Sequence, residues 1–163
     1  MKNLIKTSTL MLAFLCCALF VSAQSYTLDD ARDDATEIVS QSSQINGKVS
    51  SLINMMSQKK TNSKQLESRL ADLDQSFSAL VTQAASMNSG IGSLNNRVNT
   101  YETLTASSSI LIRHLMLVAD DKSSFSSRGD EESGNNLSSG LQELKRLAQD
   151  IRAEVMAMKN SSN

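Results

Sequence analysis

From residue 28 to residue 122, apolar residues recur at alternating steps of three and four. With Leu28 as position a of a heptad, the a column reads Leu28, Ala35, Ser42, Val49, Met56, Ser63, Leu70, Phe77, Ala84, Ile91, Val98, Thr105, Ile112 and Ala119. The d column reads Ala31, Ile38, Ile45, Leu52, Lys59, Leu66, Leu73, Leu80, Met87, Leu94, Tyr101, Ser108, Leu115 and Lys122. More than three in four of these slots are apolar, against about one in five of the positions between them. A seven-residue repeat gathers both columns on one narrow stripe of a helix, and that stripe needs another helix to cover it. The pattern predicts an all-α fold: an elongated coiled coil or antiparallel helical-hairpin rod with a short third helix.

The residues expected to form the seam against a partner helix are Val49, Leu52, Leu66, Leu70, Leu73, Phe77, Leu80, Met87, Ile91, Leu94, Val98, Tyr101, Ile112 and Leu115, joined by Leu141, Leu144 and Ile151 from the last helix. Residues 24–122 form the heptad region. Within it, 58–64 has no apolar residue and sets Lys59 and Ser63 on the seam. Phase argues for one helix through this segment and composition for a turn; the balance tips to a turn. Residues 64–121 would then make a spine of about 87 Å, with helices 28–58 and 137–159 folded back along it. Without the turn, one helix of about 140 Å would need partner chains along its length. A rod two helices thick buries little, so self-association is expected either way.

Three further segments shape this picture. The run 110–119 is apolar on most faces, so it should touch more than one neighbour and pack under the last helix. Residues 123–136, with Gly129, Gly134 and the charges Arg128, Asp130, Glu131 and Glu132, read as a polar loop. An amphipathic helix over 137–159 and a frayed tail over 160–163 follow.

The chain has 163 residues. Its first 23 have the form of a signal peptide: Lys2 and Lys6, an apolar run over 10–21, then Val21-Ser22-Ala23 before Gln24. The run is too short for the ~20 residues that span a bilayer. Removal of this segment takes both cysteines, Cys16 and Cys17. A thiol-free mature chain has no disulfide, no thiol nucleophile and no thiolate metal site. Export is expected, to a periplasmic, cell-surface or extracellular location. Loss of Lys2 and Lys6 leaves the chain more acidic than its formal −1. Such a balance offers no basic face for phosphates, so nucleic acid is not an expected partner. The mature aromatics are Tyr26, Phe77, Tyr101 and Phe125, with no Trp. That is little with which to line a ligand pocket.

Candidate chemistry is sparse. Thr27 with Asp30 has the spacing of a capping box, and Asp29, Asp30, Asp33, Asp34 and Glu37 read as charges favoured at a helix start. His114 is the sole histidine, with Ser107 to Ser109 one to two turns away. It reads as a core-edge residue, because no oxyanion-binding signature or second metal ligand accompanies it. Arg128-Gly129-Asp130 spells an integrin-type tripeptide and reads as solvated loop. No catalytic residue, cofactor or metal is expected. The function these features imply is that of an exported, non-enzymatic structural or interaction protein, whose partner is itself or another helical protein. The alternative is a secreted amphipathic protein acting on membranes.

Overall fold

The first helix begins where the chain supplies both halves of a cap. Thr27 Oγ1 accepts from the Asp30 amide at 3.2 Å, and Asp30 Oδ2 accepts from the Thr27 amide at 2.8 Å. Two amides that have no partner within the helix are thereby satisfied. In the computed structural model, which describes residues 25–58 and 62–161, four helices follow. They are α1 (Leu28–Met56), α2 (Ser63–Val98), α3 (Glu102–Arg128) and α4 (Glu131–Ser161). The segment read as a signal peptide, 1–23, lies outside the described residues, as do Lys59 and the last two residues of the tail.

Polar ties between helices fix their directions. Lys48 of α1 donates to Asp72 at 2.8 Å and Ser76 at 2.6 Å on α2, while Gln83 of α2 donates to Asp34 at 2.7 Å. Ser108 of α3 donates to Asn88 of α2 at 2.9 Å, and Lys122 pairs with Asp74. Ser107 of α3 donates to Glu154 of α4 at 2.9 Å, and His114 Nε2 lies 2.9 Å from the Gly140 carbonyl of α4. Ser138 of α4 donates to Asn46 of α1 at 2.6 Å, and Lys159 pairs with Asp29. In each case residue numbers rise on one helix as they fall on its neighbour, so all four neighbouring pairs are antiparallel. The extensive interfaces are α1 with α2, α2 with α3, α3 with α4, and α4 with α1. They close a ring, giving an up-down-up-down four-helix bundle with its core along the common axis.

The spine expected over 64–121 is therefore two helices. Nothing in the heptad phase marks the break, but Asn99 takes a left-handed conformation (φ 53°) and ends α2. The Tyr101 amide then donates to Asn95 Oδ1 at 2.8 Å, which closes the turn before α3 starts. The longest helix is α2, 36 residues, or about 54 Å. The turn also moves the register. Ser108 and Leu115 of the d column stay inside, but Leu104, Leu111, Val118 and Phe125 replace the a-column residues Thr105, Ile112 and Ala119 in the core.

The polar loop expected over 123–136 is likewise helical except at Gly129 and Asp130. Gly129 adopts φ 64°, a conformation that costs glycine little, and its amide donates to the Phe125 carbonyl at 2.9 Å. Asp130 Oδ1 accepts from the Ser133 amide at 2.7 Å and caps α4 at once. Fully buried Phe125 anchors the end of α3, so the serines around it are the wet side of a packed helix. Hydroxyls on α1 and α2 turn back on the backbone. Ser43, Ser50, Ser78 and Thr82 each donate to the carbonyl four residues earlier, at 2.9–3.0 Å. These hydroxyls are absorbed within their own helices in this way, and the folding drive is left to the apolar stripe.

Two glycines distinguish packing from backbone cost. A Cβ on Gly134 would sit 2.7 Å from Ile53 and 2.9 Å from Phe125, whereas one on Gly47 would meet nothing within 4 Å. Gly134→Ala is expected to cost about 1–3 kcal/mol through overpacking. Gly47→Ala is expected to stabilise by up to about 1 kcal/mol through helix propensity. Urea unfolding of the two variants checks both signs; equal effects would contradict the packing of α4 against α1 and α3.

Candidate interaction surface

The expected seam residues are found mostly in one place, the interior of the bundle. Val49, Leu52, Leu73, Phe77, Leu80, Met87, Ile91, Leu94, Leu115, Leu141, Leu144 and Ile151 are buried there. Leu66, Leu70, Tyr101 and Ile112 are half-buried against the core. Val98 stands 50% exposed at the end of α2. The helices that cover the seam belong to the chain itself, so the seam is not left open to a partner. Leu104, Leu111, Val118 and Phe125 are core residues that the heptad count passed over. The alternative phase through Leu104, Leu111 and Val118 was visible, but only the turn at Asn99 selects it.

The acidic start of α1 proves to be part of a strap. Tyr26 lies over Gly90 so closely that a Cβ there would sit 2.4 Å from its ring. Its hydroxyl donates to Asp34 Oδ2 at 2.6 Å, and Arg97 holds its carbonyl. Gln83 Nε2 donates to the other Asp34 oxygen. Burial raises the Asp34 carboxyl above the usual range, against the two donors that favour the anion. Tyr26 is raised by burial first and then by its bond to Asp34. Asp29 differs: its bond to Lys159 lowers it.

Other candidates have structural partners. His114 Nε2 lies 2.9 Å from the Gly140 carbonyl, which ties α3 to α4. In Arg128-Gly129-Asp130 the glycine ends one helix and the aspartate begins the next. The Asp130 carboxyl is lowered by its bond from the Ser133 amide. Two shallow depressions are lined by described residues. One, of about 150 Å³, lies beside Met56, Ser57 and Gly129; the other, of about 270 Å³, lies beside Ser42, Asn46 and Lys145. No cluster of three His, Cys, Asp or Glu suited to a metal ion occurs among the described residues.

The outer surface of α3 stands apart. The run 110–119 was expected to be covered on most sides, but only Leu111, Leu115 and Val118 are buried, with Ile112 and Ala119 half-buried against the core. Ile110 is 50% exposed, Met116 66% and Leu117 58%. Exposed Arg113 and Asp120 share their face. No helix among the described residues is long and apolar enough to cross a membrane. No family model, curated protein or solved structure matches this chain.

The Asp34 strap gives a signed pH prediction. A carboxyl raised in the folded state favours folding most when protonated, and that contribution is lost as pH rises through its folded value. Asp34→Asn, whose amide can still meet Tyr26 and Gln83, is expected to raise stability at pH 7. The gain should shrink as pH falls through the carboxylate range. Urea unfolding at both pH values checks this; a loss at pH 7 would mean that the two donors outweigh burial.

Proposed function

We propose that this chain is an exported, non-enzymatic helical-bundle protein that acts by presenting a helix face to another protein surface. The outer face of α3 is the recognition element. One observation carries the reading: Ile110, Met116 and Leu117 lie exposed along a single helix, in a bundle whose seam is otherwise consumed internally. Val98 and Met156 are exposed on other helices, one each. Single exposed apolar residues are ordinary on protein surfaces, but a cluster of them on one helix marks a contact site. The binding role is also favoured by what the remaining candidates do. His114, Asp34 and Asp130 are each occupied by a bond that holds the fold.

A membrane-acting role is the second reading, because the same three apolar side chains would suit a lipid interface. Arg113 and Asp120 on that face make it the weaker one, since burying either charge in lipid is costly.

Two measurements test the proposal. Expression of the full chain in a bacterial host should yield an exported species beginning at Gln24; an intact chain retained in the cytoplasm would contradict export. The double substitution Met116→Glu with Leu117→Glu should change unfolding free energy by no more than about 0.5 kcal/mol, as expected of surface sites. It should nonetheless release the protein from a phenyl matrix at clearly higher salt, because a less apolar face needs more salt to be retained. Unchanged retention would remove α3 as the recognition face.

A further inference from the structure

We propose that the outer face of α3 recognises a second copy of this chain, with the two α3 helices antiparallel about a two-fold axis passing between Met116 and Leu117. In this arrangement each Arg113 meets Asp120 of the other copy. The inference rests on the reading of α3 as the recognition face and adds the occupant and its register.

Leu111, Leu115 and Val118 define the buried side of α3. Arg113 and Asp120, seven residues apart, lie on one line along the opposite side, with Leu117 between them and Ile110 and Met116 beside it. Both charged residues are exposed, and neither has an ion-pair partner among the described residues. Arg32, Lys48, Lys122, Arg146 and Lys159 have carboxylate partners, whereas Arg69, Arg97, Lys145 and Arg152, like Arg113, have no ion pair among the described residues; what sets Arg113 apart is an exposed aspartate, Asp120, two turns along the same apolar face. The α3 face therefore holds one unpaired cation and one unpaired anion, flanking its apolar centre.

A two-fold interface must be complementary to itself: if residue i meets j, then j meets i. An axis between Met116 and Leu117 satisfies this with opposite charges at both ends of the apolar centre. The same operation sets Met116 beside Leu117, Ser109 beside Ser124, and Ala106 beside Ser127. The outer contacts are thus between small side chains, which let two helices approach closely. A parallel pairing would instead set Arg113 against Arg113 and Asp120 against Asp120. An anionic lipid surface would meet Asp120 with repulsion. Charge pairs at an interface fix register more than they add affinity, and here they select one arrangement of an otherwise non-directional apolar patch.

Sedimentation of the processed chain over a range of concentrations tests this, with Arg113→Glu, Asp120→Arg and the double variant R113E/D120R. The wild type should dimerise reversibly. Each single reversal should weaken the dimer by at least about tenfold, because it creates two like-charge contacts. The double variant should recover it. An equimolar mixture of the two single variants should also dimerise, since every pair across that interface is again opposite in sign. Urea unfolding of each variant confirms that the bundle is intact. A wild type that stays monomeric at its highest soluble concentration would overturn the proposal, as would dimers indifferent to both reversals or a double variant that fails to recover. Monomer that binds phosphatidylcholine–phosphatidylglycerol vesicles would overturn it too, and assign the face to lipid. If phenyl retention still depends on Met116 and Leu117, the failure lies with the second copy as occupant. If it does not, the recognition face itself is wrong.

Discussion

Each helix of this protein carries an apolar stripe that covers less than half its circumference, and the structure is governed by where those stripes can be hidden. Stripes this narrow lose most when left in water and gain most when several meet around one axis. The chain achieves this alone. Three short connections bring α1 to α4 side by side in alternating directions, so that Ile38, Leu80, Leu111 and Leu144, one from each helix, all fall in one core. The remaining circumference can then be serine, asparagine and charge without cost to the interior. Hydroxyls that would weaken an isolated helix are bonded to its own carbonyls.

Polar contacts between helices contribute direction and register more than stability. Fully buried Ser108 is tolerated because Asn88 accepts its proton. The strap of Tyr26 against Gly90 closes one end of the α1–α2 pair and uses an aspartate that burial makes less willing to ionise. At the other end Gly134 lets α4 approach Ile53 and Phe125. These close contacts at the two ends hold helices whose middles are ordinary leucine and isoleucine packing.

The helices themselves were legible from spacing, and so was the cap at Thr27, because both depend on local chemistry. The turns were less so. Segment 58–64 advertised itself by composition, but Asn99 did not: the heptad runs through it in phase, and only its left-handed backbone separates α2 from α3. One such residue halves the expected spine and shifts the core from Ile112 to Leu111. The reverse error occurred at 123–136, where Gly129 and Gly134 look alike in sequence. Gly129 ends a helix through its positive φ, while Gly134 lies inside one and serves close packing. The α3 surface was visible as a broadly apolar run, but its outward half became evident only once the register was known.

One chain covers its own seam by folding α3 back along α2. In a chain beginning at Gln24, which lacks Cys16 and Cys17, cysteines introduced as Ser68→Cys and Arg128→Cys would be the only thiols, and both native residues are exposed. The ties between Asn88 and Ser108 and between Asp74 and Lys122 set these positions level on neighbouring helices. Spin labels there, in chains diluted with unlabelled protein, should lie on the order of 20 Å apart by pulsed dipolar spectroscopy, the separation of packed helices plus the label tethers. A distance near 90 Å, the length of about 60 helical residues, would mean a continuous spine and contradict the bundle.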